Sequence, residues 1–187
     1  MASIFSWKPK DGFRLAQTVG KFLENPAKYT DEEFISAAEL ACLKHPSEWV
    51  IYYQLGDKYM DIGRLVDALA ACQKCVELSP KEIRSTYALA TAYNMLTRAG
   101  LTDEHQNALN ALSSYYGEKA MRGPIDKEHY VKELEKAGLS VETVATQAMR
   151  WFERSLELRP NIQSREAITE HLQVLYKDFP KLRILSF

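Results

Sequence analysis

Apolar positions between Trp49 and Pro80 fall in two helical stripes. Tyr52, Leu55, Gly56 and Tyr59 occupy i, i+3, i+4 and i+7, one face of a first helix, and Ala68, Cys72, Cys75, Val76 and Leu78 line a second. Asp61, Ile62 and Gly63 supply a turn between them, and Pro80 stops the run. Gly56 and Ala68 are small where the two helices should cross closely, while Tyr52, Leu55 and Tyr59 should fill the space towards neighbouring hairpins. One such hairpin leaves apolar faces uncovered, so copies are expected on both sides.

The pattern recurs. Thr86, Leu89, Ala90 and Tyr93 repeat Tyr52, Leu55, Gly56 and Tyr59 at one constant offset, and Pro46 precedes Pro80 by that same interval. Upstream, Leu15, Thr18, Val19 and Phe22 repeat the first-helix spacing. Thr30 with Glu33 forms a capping box that opens a helix to about Lys44, in which Phe34 stands where a small residue is usual.

The second helix due after Tyr93 is displaced. It appears as Ala148, Phe152, Ser155, Leu156, Leu158 and Pro160, with RSLELRP matching KCVELSP position by position. Pro160 follows Pro80 by more than twice the interval between Pro46 and Pro80, so an insertion occupies the inter-helix turn, over roughly 97–141. Ala108, Leu109, Leu112 and Tyr115, then Tyr130, Val131 and Leu134, make the insertion helical. Gly117, Gly123 and Gly138 mark stops, and Ser140 suits the N-cap of the helix that resumes the pattern. After Pro160, Ile168, Leu172, Leu175 and Tyr176 keep one apolar side. Glu166, Thr169, Glu170 and Gln173 occupy the positions against which a further helix would pack, so the array should end in a cap.

The order aromatic-x-x-Leu-Gly-x-x-Tyr, then Ala and small or large residues at helical spacing, then Pro, resembles the tetratricopeptide repeat. That repeat is a helix-turn-helix unit of about 34 residues that stacks into a binding solenoid. The offset from Tyr52 to Thr86 and from Pro46 to Pro80 equals this period. Cys72 departs from the usual aromatic. The resemblance is specific over 49–96 and 143–176, loose over 11–48 and absent from the insertion. It implies an all-α, right-handed solenoid of helical hairpins with a helical insertion and a C-terminal capping helix. The corresponding organisation is a segment 1–10, one domain 11–177 and an apolar tail 178–187. The domain divides into a degenerate repeat 11–48, a repeat 49–82, a repeat 83–160 interrupted at about 97–141, and a cap helix 161–177.

In that family a concave groove is lined by first-helix residues between the packing positions. Here these are Val50, Tyr53, Asp57, Met60, Arg84, Tyr87, Thr91 and Asn94. Tyr53 and Tyr87 hold the same place in successive copies, so they should stand side by side and offer a peptide large contact area at little entropy cost. Equally, the insertion or the N-terminal segment could use the same rings. Some co-chaperones of the family grip a peptide C-terminal carboxylate with Lys and Asn. The comparable surface here carries Tyr53, Gln54, Asp57, Tyr87, Ala88 and Thr91, and Asp57 would repel a carboxylate.

Composition narrows the classes. With 187 residues, 46% of them hydrophobic, the chain can bury a core as one domain. A formal charge of -1 supplies no field towards nucleic acid or an anionic membrane. No apolar run approaches the roughly 18 residues of a membrane span. Three cysteines make no disulfide framework and suit a reducing cytoplasm. MASIFSW is too short for a signal-peptide core, and the basic residues after it resemble an organellar presequence only weakly, given Asp11 and Glu24.

Cys72 and Cys75 form a C-x-x-C pair that a redox or zinc site could use, but both sit on a packing stripe and no second pair exists. His45, His105, His129 and His171 are scattered, and phosphate-binding and hydrolase motifs are missing. The expectation is a non-catalytic module without cofactor or metal. It would bind a protein or peptide partner as an adaptor, scaffold or assembly subunit, and could belong to a larger complex. One alternative is a chaperone that shields an apolar client segment on Val50, Tyr53, Met60 and Tyr87. Another is a metal-dependent enzyme built on Cys72, Cys75 and a histidine.

Overall fold

A computed structural model describes residues 30–100, 132, 135, 136 and 138–182. Six helices carry the fold: α1 (Asp31–Lys44), α2 (Trp49–Asp61), α3 (Leu65–Leu78), α4 (Ile83–Gly100), α5 (Val141–Glu157) and α6 (Ile162–Asp178). No strand occurs among the described residues. Each helix packs on the next in the chain, and α2 also packs on α4, the arrangement of stacked helical hairpins. The broadest contacts are α4 with α5 and α2 with α3. The first of these closes across residues 101–140, so the displaced second helix packs on the first helix that precedes it, as α3, whose sequence it matches, packs on α2.

Local chemistry sets the helix ends. Thr30 and Glu33 form the capping box reciprocally: Thr30 Oγ1 accepts from the Glu33 amide at 3.2 Å and Glu33 Oε2 from the Thr30 amide at 2.8 Å. Ser140 caps α5 through the Thr143 amide at 3.2 Å, and Asn161 caps α6 through the Ser164 amide at 2.8 Å. Gly63, at φ 78°, lets α2 turn directly into α3, and its amide donates to the Met60 carbonyl at 3.1 Å.

The matched ends of α3 and α5 close differently. Ser79 keeps a negative φ of -143°, whereas Arg159, its counterpart in the matched segment RSLELRP, takes the left-handed conformation at φ 57°. The α4 helix continues to Gly100, past residue 97, where the sequence pattern places the start of the insertion. Thr97 and Arg98 are buried there, so the final turn is still packed. The stripes placed at 11–24 and 108–115, the stripe residues Tyr130, Val131 and Leu134, and the apolar tail from residue 183 lie outside the described residues.

The core follows the stripes. Ile51, Leu55, Leu65, Ala68, Cys72, Leu89, Ala90, Leu96, Val144, Ala148, Met149, Phe152, Ile168 and Leu175 form one continuous buried cluster. Where α2 crosses α3, a Cβ on Gly56 would lie 2.7 Å from Cys72 Sγ. The small residue and the thiol are therefore matched in size. Cys72 and Cys75 are both fully buried. Burial pushes the Cys72 thiol well up, and pushes Cys75 up to about 11 while its Sγ donates to Ser85 Oγ at 3.2 Å. These thiols are held protonated as packing groups, which makes them poor metal ligands or nucleophiles. On α6, Glu166, Glu170 and Gln173 are exposed and Thr169 is half-buried, while Ile168, Leu172 and Leu175 face inward.

Candidate functional site

The residues expected to line the groove separate into two sets. Along α2, Trp49, Tyr53, Asp57 and Asp61 recur every four residues and form one strip, aromatic in its first half and acidic in its second. Trp49 and Tyr53 meet edge to face with ring centroids 6.4 Å apart. From α4, the Arg84 guanidinium lies 5.6 Å from the centre of the Trp49 ring and its Nε bonds Glu82 Oε1 at 3.3 Å. Burial and the Asp57 carboxylate raise the Tyr53 phenol, so it stays protonated, and the nearby Arg84 partly opposes them. Solvent reaches Asp57, yet the protein around it thins its hydration. This, with the Asp61 carboxylate, raises its carboxyl to about 6.

Val50, Met60 and Asn94 belong elsewhere. They are buried at 2%, 7% and 5% exposure, and so present little surface to a partner. Tyr87 is half-buried and turned to its own neighbours: it meets Phe152 of α5 at a centroid distance of 5.9 Å, and its hydroxyl lies 3.3 Å from His171 Nε2 of α6. Thr91 is half-buried and donates to the Tyr87 carbonyl at 2.9 Å. Tyr53 and Tyr87 thus occupy equivalent positions in different surroundings.

His171 is the residue that composition alone did not single out. Its ring stacks on Phe152 at 4.9 Å and 9°, and Asn94 Nδ2 lies 3.3 Å from its Nδ1. An amide nitrogen only donates, so Nδ1 accepts and the neutral ring carries its proton on Nε2, donating to the Tyr87 hydroxyl. Burial, then the Arg98 cation, pushes the His171 pKa down to about 4. Arg98, at 1% exposure, donates from Nη1 to Asp178 Oδ2 and fastens the end of α4 to the end of α6. A signal for His171 existed in the sequence. The offset that carries Pro80 to Pro160 puts it in register with Thr91, and hence with Asp57, both groove positions.

The same registers explain why the two sets differ. Phe152 is the counterpart of Cys72, and His171 the counterpart of Thr91. At α4, α5 and α6 the two rings pack together with Tyr87. Beside α2 the corresponding side chains are a thiol and a short hydroxyl, and Tyr53 and Asp57 are left on the surface. Three facts therefore converge on one unit: the hairpin α2–α3, the Gly56 crossing, and the aromatic and acidic strip on its first helix.

Residues 50–82 match the family model of the tetratricopeptide repeat. The match spans α2, α3 and the turn after them, the length of one tetratricopeptide repeat. The fold is accordingly an all-α helical repeat. No curated protein matches the chain. Beyond the matched repeat, α4 with α5 reproduces the hairpin in the structure, and α6 packs on α5 as a first helix would. Among the described residues no group of three His, Cys, Asp or Glu side chains could hold a metal ion. No described helix is long and apolar enough to cross a membrane.

Proposed function

We propose that the chain is a non-catalytic protein-interaction module that holds a peptide or helix of a partner against the strip Trp49, Tyr53 and Asp57 on α2. The observation that carries this reading is the open first-helix face of the matched tetratricopeptide repeat, with aromatic rings partly exposed where the next hairpin has filled the same place with Phe152 and His171. Accessible Tyr and Trp faces give large contact area with few rotamers to freeze. An adaptor or assembly subunit fits this surface better than a chaperone for apolar segments. Val50 and Met60, which a chaperone would use, are buried, and the strip ends in a carboxylate. The protonated, buried state of Cys72 and Cys75 favours binding over metal chemistry.

Peptides selected on the purified chain from a random dodecapeptide display library provide the test. Tyr53→Ala should weaken the selected peptides by about 2 kcal/mol, as loss of an aromatic anchor does. Selected peptides that bind Tyr53→Ala as tightly as the parent would place the contact elsewhere and sink this reading.

A further inference from the structure

In the acidic half of the strip, the Asp57 carboxylate has no cation paired with it among the described residues. Lys58, the cation nearest along α2, is committed at 2.8 Å to Asp31 of α1 and at 3.9 Å to Asp61. Arg84 of α4 is held by Glu82 and by the face of Trp49. The other described titratable groups around Asp57 are Tyr53 and Asp61 on its own helix and the Cys72 thiol of α3, none of them a cation. Among the described residues, no basic group stands at ion-pair distance from the Asp57 carboxylate.

We infer, building on the groove reading above, that the partner segment carries a lysine or arginine that pairs with Asp57, next to an apolar or aromatic residue seated on Tyr53. Helix geometry fixes the register. Tyr53 and Asp57 are one turn apart, about 6 Å along α2. An extended segment advances about 3.3 Å per residue, so its apolar and basic residues are two positions apart. The second apolar contact, on Trp49, falls about two further positions along. A partner carboxylate in the place of that cation would face Asp57 and Asp61 together, so the same pair rejects acidic segments.

The pH dependence follows from the state of Asp57. Its carboxyl titrates near 6 in the free chain because thinned hydration and Asp61 disfavour the anion. An incoming cation favours the anion, so binding is strongest above that pH and falls as the carboxylate takes up a proton below it.

The same dodecapeptide selection separates this inference from the groove reading. Wild-type selections should be enriched in Lys or Arg two positions from an aromatic or aliphatic residue. Asp57→Asn should weaken such peptides about fivefold and flatten their pH dependence below 6. Selection on Asp57→Lys should replace the basic residue with Asp or Glu. Peptides that need Tyr53 but show no basic enrichment, or that ignore Asp57→Asn, would overturn the charge inference and leave the groove in place. Peptides indifferent to both Tyr53→Ala and Asp57→Asn would overturn both.

Discussion

At the residue scale, the Gly56 and Cys72 pair shows how a single position selects its opposite number. A glycine in mid-helix costs about 1 kcal/mol relative to alanine, so Gly56→Ala alone would be stabilising if space allowed. Space does not allow it: the new Cβ would sit 2.7 Å from a fully buried sulfur, and overpacking of that kind costs about 1–3 kcal/mol. The overpacking exceeds the propensity gain, so Gly56→Ala should destabilise by about 1 kcal/mol in urea titration. In a Cys72→Ala background the sulfur is gone, and the next contacts, Ala68 O and Ala71 Cβ, are at an ordinary 3.6 Å. There the same substitution should stabilise by up to about 1 kcal/mol. Two effects of the same sign would show that the sulfur is not what limits this crossing.

At the element scale, the helices and their ends were largely legible because they depend on chemistry local to the chain. Thr30 with Glu33, Ser140 and the two apolar stripes of 49–80 specify caps and faces without reference to the rest of the molecule. The match of RSLELRP to KCVELSP pointed to the return of α5 onto α4, which the packing shows. Depth was not legible. Val50, Met60 and Asn94 stand at groove positions, but whether such a position is open depends on the size of what comes against it, and for Asn94 that is His171. The likeness of the two helix ends also hides a difference. A non-glycine residue in the left-handed region costs about 1–2 kcal/mol, more than the chain entropy of about 0.5–1 kcal/mol lost by placing glycine there. Arg159→Gly should therefore raise stability by about 0.5–1 kcal/mol. At Ser79, where φ is negative, glycine brings only the entropy loss, and Ser79→Gly should lower stability by a similar amount. Thermal unfolding of the two variants checks the opposite signs, and a shift in the same direction for both would contradict this account of the caps.

At the scale of the whole molecule, the repeat array places its two equivalent tyrosines in different surroundings. In a solenoid each hairpin is held by its neighbours, so a side chain that touches two following helices contributes to coupling along the array. Tyr87 does this, edge-on to Phe152 of α5 and bonded to His171 of α6. Tyr53 meets Trp49 of its own helix and stands near Arg84, towards the open strip. Tyr87→Ala should remove a large partly buried ring and leave the His171 Nε2 proton without that acceptor, a loss of about 3 kcal/mol in chemical denaturation. Tyr53→Ala should cost less, about 1 kcal/mol, because the ring that it meets belongs to its own helix and the side chain is only partly buried against the core. Hydrogen exchange locates the difference. Amides of α6 between Ile162 and Asp178 should exchange faster in Tyr87→Ala, since one contact from α4 to α6 is lost while the Asn94 to His171 and Arg98 to Asp178 pairs stay, and should be unchanged in Tyr53→Ala. Equal stability losses, or faster α6 exchange in both variants, would mean that the first hairpin is tied to the cap as tightly as the second, and that the strip on α2 is part of the array's cohesion instead of a surface left free for a partner.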